Sequence, residues 1–146
     1  MFRGQFKYSI DAKQRLAIPA KFRKAMPDAP LDSIVMTIGK NQCIEIYTFD
    51  YWKDVKEKEI ELLDQNDPMT LMYIRKLTQY THDLTLDSQS RVIIPQALLN
   101  HAKIKKEVVI QGVIDRMEVW DPDVYDAYMG SSDLPIEELG RLAKKK

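Results

Sequence analysis

The sequence is poor in the residues that build metal centres and disulfide frameworks. It has 146 residues, but only one cysteine, Cys43, and two histidines, His82 and His101. One cysteine cannot form an internal disulfide, and a four-ligand zinc site needs more Cys and His residues than these. We therefore expect no bound metal ion and no cofactor.

Long apolar runs are also missing. No stretch approaches the ~20 apolar residues that cross a bilayer, and residues 1–8 lack the apolar core and the cleavage site of a secretory signal. Hydrophobic residues make up 45% and charged residues 30% of the chain, which is typical of soluble globular proteins. These features predict a cytoplasmic protein without a membrane partner.

Neither charge is in excess over the whole chain, but the basic residues are concentrated at one end. Lys plus Arg total 22, as do Asp plus Glu. Residues 1–25 hold one acidic residue, Asp11, and seven basic ones: Arg3, Lys7, Lys13, Arg15, Lys21, Arg23 and Lys24. Such an excess can present a positive field to a phosphate backbone even in a neutral chain. These seven are our candidate DNA-binding residues; the alternative is an ordinary solvated surface.

The chain contains an internal duplication. The segment from Asp11 to Pro19 returns 76 positions later, from Asp87 to Pro95, with Asp, Arg, Ile and Pro in register. In each copy, short extended runs flank a polar turn, a proline occupies the first position of a short helix, and two further strands follow. The pattern predicts an α+β fold made of two β-β-α-β-β units.

Glycines and N-capping residues indicate where the remaining elements begin and end. We expect Gly39 and Gly112 at the turns between the last two strands of each unit. Further helices are predicted to begin near Thr48, at Asp67-Pro68 and at Asp121-Pro122.

Each unit, at about 45 residues, is too small to bury both faces of four short strands. Either the two units intertwine within the chain or several chains associate. Aromatic residues of the predicted helices are candidates for the packing surface: Trp52, Tyr73, Tyr125 and Tyr128.

The twice-occurring Asp-x-x-x-Arg pattern has a structural use, because the carboxylate can accept backbone N–H groups of the turn and pair with the guanidinium. We expect this role for Asp11, Asp87 and Arg91. Arg15 differs because it lies among other basic residues, whereas residues 77–101 hold one basic residue, Arg91, against two acidic ones. The first unit is therefore predicted to bind DNA and the second to support it.

Sequence features of an enzyme are missing. There is no Gly-rich phosphate loop and no nucleophile motif. His82 and Asp83 are adjacent, but they are not expected to form an acid–base pair, because neighbours in a strand point to opposite faces. We predict neither catalysis nor a small-molecule substrate.

Several phrases of the sequence resemble the MraZ family of bacterial transcriptional regulators. They are the opening Met-Phe-Arg-Gly, the phrase from Asp11 to Arg23, the second Asp-x-x-x-Arg, and the segment from Gly112 to Asp121. The match runs from Met1 to about Met129. Three positions depart from the family pattern. Gln14 stands where members commonly carry Gly, and Gln89 and Ser90 stand in place of Lys and Gly.

The resemblance implies two swapped-hairpin modules of the AbrB/SpoVT type, packed as a pseudo-symmetric β-barrel flanked by helices. We divide the chain into a DNA-binding half, residues 1–75 with a core at about 5–47, and a second half, residues 76–146 with a core at about 77–120, a C-terminal helix and a tail.

The resemblance also implies a closed ring of many subunits that binds double-stranded DNA at direct repeats of a TGGG-like box. The boxes would precede the division and cell-wall gene cluster, which makes the expected protein nucleoid-associated. The alternative is a ring-forming interaction module whose basic strip docks an acidic protein partner.

Overall fold

The computed structural model describes residues 1–26 and 32–145, and both units have the predicted β-β-α-β-β order. The first unit comprises β1 (Phe2–Ser9), β2 (Arg15–Ala17), α1 (Ala20–Ala25), β3 (Ser33–Ile38) and β4 (Ile44–Thr48). A helical segment follows, made of α2 (Phe49–Tyr51), a π-helical turn (Trp52–Lys56) and α3 (Glu57–Glu61), and then α4 (Pro68–Tyr80). The second unit comprises β5 (His82–Thr85), β6 (Arg91–Ile93), α5 (Gln96–Ala102), β7 (Glu107–Ile114) and β8 (Met117–Trp120), before α6 (Pro122–Met129) and α7 (Ile136–Ala143). The α+β class is confirmed.

The two units intertwine within the chain. Six strands form an antiparallel sheet in the order β1-β7-β8-β4-β3-β5, and β2 pairs with β6 in a separate ribbon. Four strand pairs join the units: β1 with β7, β3 with β5, β2 with β6 and β4 with β8. Strands β1 to β4 of the first unit correspond in order to β5 to β8 of the second. When each strand is replaced by its counterpart, the same pairs result, so the fold has an approximate twofold symmetry. Among the described residues no pairing closes the sheet into a barrel.

One hydrophobic core is shared by both units. Alternate residues of a strand face opposite sides of a sheet, so Ile34 and Met36 of β3 point towards the ribbon while Val35 points away. The first unit adds Leu16 and Ile46, and the second adds Ile94, Leu98, Ile110 and Met117, all of them fully buried. The core is therefore completed within one chain, because the two units intertwine.

The outer face of the sheet is covered by helices. Trp52 packs there against Val35 and Tyr47, and Trp120 packs against Cys43 and Val109. The predicted helix starts are confirmed: the side chains of Thr48, Asp67 and Asp121 cap the helices that follow them. Neither α4 nor α7 contains a buried residue. Of the candidate packing aromatics, Trp52 is buried and Tyr125 half-buried, whereas Tyr73 and Tyr128 remain exposed.

Two local predictions are wrong. Pro19 and Pro95 are not the first helical residues but the N-caps, because their ψ angles of 137° and 140° are extended and the helices begin one residue later. The carbonyl of Pro19 nevertheless accepts the N–H groups of Phe22 and Arg23. Gly112 does not lie at a turn; it faces Gly4 across β1 and β7, where a Cβ would come within 2.4 Å of the Arg3 backbone nitrogen.

Across residues 1–26 and 32–145, none of the helices combines the length and apolar character needed to cross a bilayer.

Candidate nucleic-acid interface

The two Asp-x-x-x-Arg turns have the same construction. Oδ1 of Asp11 accepts the backbone N–H groups of Lys13 and Arg15 at 2.9 Å, and Oδ2 accepts Nε of Arg15 at 2.6 Å. In the second turn Asp87 accepts the N–H groups of Gln89 and Arg91 and the Nε of Arg91, each at 2.9 Å. Each carboxylate therefore ties the two ends of its turn together.

These hydrogen bonds stabilise the ionised form of both aspartates. The backbone N–H of Arg15, together with its side chain, lowers the pKa of Asp11 against a smaller opposing effect of burial. The same groups of Arg91, with the backbone N–H of Gln89, lower the pKa of Asp87. Both carboxylates thus carry a charge in the folded turn at neutral pH.

The residue before each arginine has a left-handed backbone conformation. The φ angles are 63° at Gln14 and 58° at Ser90, a region that glycine enters without strain and other residues enter at a cost of about 1–2 kcal/mol. This geometry gives a physical reason for the glycine of the family pattern. Gln14 and Ser90 keep the same turn shape in spite of that cost.

Arg15 and Arg91 are equally tied to their aspartates, which differs from our expectation that Arg15 stands apart. Their side chains are 28% and 27% exposed and use the same Nε atom in the pair. Within each guanidinium, Nε is the nitrogen that binds the aspartate. The two Nη groups of each arginine make no hydrogen bond with the described residues. The difference between the turns must come from their surroundings.

Each turn lies beside the helix of the other unit. The Gln14 carbonyl accepts the N–H of Ile94, and the Gln14 side chain donates to that of Gln96, the first residue of α5, at 2.5 Å. By the pseudo-symmetric contact, the Ser90 carbonyl accepts the N–H of Ile18, close to the start of α1. The second turn, which is poor in charge, therefore neighbours the basic helix α1.

The structure divides the seven basic residues into three groups. Arg3 and Lys7 lie on the face of β1 opposite Phe6, whose ring packs against Phe22 of α1. Lys13 and Arg15 belong to the first turn. The third group is on α1: Lys21, Arg23 and Lys24.

Within the α1 group the three cations differ. Lys21 and Lys24 are exposed, and the Lys21 Nζ lies 3.6 Å from where a Cβ of Gly4 would stand. Arg23 is half-buried and forms an ion pair with Asp32. Its charge is therefore partly neutralised within the chain.

Sequence reasoning missed the amide side chains of the second unit that adjoin the first turn. Gln96 bonds both Gln14 and Asn100, which brings three amide groups next to Lys13 and Arg15. The duplication indicates two turns, but the exchange of partners between units has no signal in a single sequence.

A family profile described as "MraZ protein, putative antitoxin-like" matches residues 1–72 and 77–141. The chain is 36% identical to "Transcriptional regulator MraZ" of Caldanaerobacter subterraneus subsp. tengcongensis and 34% identical to the protein of the same name from Thermoanaerobacter sp., in each case over 95% of this chain and 94% of the relative. A third, from Hydrogenovibrio crunogenus, is 35% identical over 86% of this chain and 83% of its own length. The chain belongs to the MraZ family.

Proposed function

We propose that this protein is a sequence-specific DNA-binding regulator of transcription. The observation that carries the proposal is the first turn, a braced hairpin tip that presents Lys13 and Arg15, in a chain whose relatives are named transcriptional regulators. A hairpin tip can enter the major groove of B-DNA, where Arg is the side chain that most often reads guanine.

Asp11 prepares Arg15 for that contact. Because Asp11 holds Nε, the guanidinium plane is fixed, and the two Nη groups would be left to bind a guanine edge or a phosphate. Asp87 and Arg91 would give the second turn its shape without a comparable set of cations on its own unit. We assign Asp11 and Asp87 a positioning role, and Arg91 a structural one.

The remaining cations would bind phosphates. Lys13, Lys21 and Lys24 are exposed, and exposed lysines contribute affinity through the release of counterions rather than through sequence reading. Arg3 and Lys7, on the face of β1 that points away from α1, would reach phosphates only at the margin of this surface, and Arg23 would support α1 through Asp32. In this scheme residues 1–75 supply the binding half, and residues 76–146 hold the first turn from the side of α5.

The assembly expected for the family completes the proposal. The intertwined strands would form a swapped-hairpin barrel as the scaffold, and the subunits would close into a ring. The ring would bind direct repeats of a TGGG-like box upstream of the division and cell-wall gene cluster, on the nucleoid in the cytoplasm. The aspartate of each turn fixes the guanidinium plane and leaves two Nη groups without a partner among the described residues, which supports this function. Docking of an acidic protein needs positive charge but no fixed guanidinium plane.

A mobility-shift titration at moderate salt tests the proposal. We expect the upstream region of the operon that contains this gene to bind more tightly than a scrambled duplex of equal length and composition. Lys13→Ala should weaken both complexes and make their salt dependence shallower, whereas Lys53→Ala, at an exposed position of the helical segment on the outer face of the sheet, serves as the matched control. Equal affinity for the two duplexes would contradict the proposal and favour the acidic-partner alternative.

A further inference from the structure

The C-terminal helix α7 has an apolar face that no other part of the described chain covers. Ile136, Leu139 and Leu142 are 78%, 46% and 39% exposed, and none of the residues of the helix is buried. Their spacing of three places them on one side of the helix. A helix of eight residues is not stable in water on its own, so this face calls for a partner.

A groove of matching character lies on the helical side of the sheet. It has a volume of about 440 Å³, with Trp52, Ile60 and Leu63 on one wall and Tyr73 and Leu77 of α4 on the other. Its rim is open to solvent, since Tyr73 is 55% and Leu63 37% exposed. Such a groove suits the apolar face of an amphipathic helix.

We propose that α7 of one copy occupies this groove in a second copy of the chain. The inference deepens the proposed ring by naming the contact that builds it. Aliphatic side chains at a spacing of three fit an elongated apolar groove, and α7 and the groove are both left open in the single chain.

One pair of opposite charges is complementary between α7 and the groove. The first turn of α7 carries Glu137 and Glu138, and Lys40 lines the groove without an ion pair to any described residue. Arg141, in the last turn of α7, is paired with Glu138 of the same helix, so Glu137 is the α7 carboxylate that we assign to Lys40. These charges orient the helix with its N-terminus towards Lys40.

The contact joins two different surfaces, so each chain offers one helix and accepts another. Such head-to-tail contacts propagate and close into a ring when the rotation per subunit permits. The groove is on the outer face of the sheet, with Trp52 and Val35, whereas the ribbon and its turns are on the core face, with Leu16 and Val92. Assembly through α7 therefore leaves both Asp-x-x-x-Arg turns accessible.

Two variants that block opposite sides of the contact give a decisive test. Leu139→Glu removes the apolar face of α7 and leaves the groove intact, and Tyr73→Glu does the reverse. Both positions are exposed, so each variant should still unfold cooperatively in circular dichroism, with a melting temperature lowered by no more than the lost association. Ile114→Glu, a third exposed apolar position that belongs to neither surface, is the control.

The masses are measured by light scattering without DNA, so a failure to bind DNA does not affect the result. We expect the wild type and Ile114→Glu to form the same multi-chain assembly, and each blocking variant alone to give a single chain of 17.0 kDa. An equimolar mixture of the two blocking variants should give a two-chain complex and nothing larger, because one intact helix meets one intact groove. A single-chain wild type, a blocking variant of wild-type mass, or a mixture that stays at single-chain mass would each overturn the proposal.

Discussion

Single residues distinguish two turns that share one geometry. Arg15 and Arg91 make the same ion pair with an aspartate four positions earlier, and such solvent-screened pairs contribute little to stability. Arg15→Ala and Arg91→Ala should therefore lower the free energy of unfolding by similar small amounts. Only Arg15→Ala should weaken binding to box-containing DNA, by about 1–3 kcal/mol per contact if Arg15 reads a base.

Urea titration and a DNA titration of each variant check this prediction. If Arg15 meets only phosphate, the loss is the same on scrambled DNA and the salt dependence becomes shallower. Normal binding by Arg15→Ala together with lost binding by a stable Arg91→Ala would reverse the roles of the two units.

One residue outside the proposed interface stores backbone strain. Ile114 is the last residue of β7, next to the turn into β8, and its φ of 65° is a conformation that a β-branched side chain rarely adopts. Its side chain is 63% exposed, so little packing is lost on its removal. Ile114→Gly should raise the free energy of unfolding by about 1 kcal/mol in urea titration. Ile93→Gly, exposed within β6, should lower it instead; a loss of stability in both variants would show that strain at Ile114 is negligible.

At the scale of elements, the order of strands and helices was predictable and their partners were not. The order follows from local patterns: a polar turn between apolar runs, an Asp-Pro pair before a helix. Pairing of β1 with β7 depends on Gly4 meeting Gly112, a contact between residues that are distant in the sequence. The same limit hid the position of Gln96 beside Gln14, because a single sequence does not show which helix adjoins which turn.

The two Asp-x-x-x-Arg turns should make the free energy of unfolding decrease in acid. The pKa values of Asp11 and Asp87 are lowered in the fold, so as the pH falls the unfolded chain takes up protons before the folded one. The stability that these carboxylates contribute is therefore present above pH ~4, the range of an unperturbed aspartate, and is lost as the pH drops through the lower folded-state values.

The double variant Asp11→Asn/Asp87→Asn tests that dependence. Its free energy of unfolding should fall less than that of the wild type between about pH 6 and pH 3, when measured by urea titration. Asp133→Asn, in the exposed segment before α7, should keep the wild-type slope. An unchanged slope in the double variant would mean that other groups control the acid response.

At the scale of the whole molecule, the sheet separates two surfaces with different tasks. The core face carries the ribbon, the two turns and α1, and the outer face carries the helices that flank the groove. The intertwined units complete the core in one chain, so self-association is not needed to fold the units. In the proposed ring, other copies would cover the exposed apolar surface of α4 and α7.

This separation predicts how DNA affinity depends on the number of boxes. One turn per subunit carries few charges, so a single box should be bound weakly, whereas several subunits held in a ring engage one duplex with a high effective concentration. Head-to-tail neighbours face the same way, so direct repeats about one helical turn apart should be preferred over inverted ones.

In titrations on matched duplexes the wild type should bind several direct repeats at least 10-fold more tightly than one box. Leu139→Glu, which keeps both turns but loses the face of α7, should bind one box as the wild-type turn does and gain only the statistical factor from further boxes. A wild type that binds one box and several with equal affinity would show that its turns act singly, whatever the mass of the assembly.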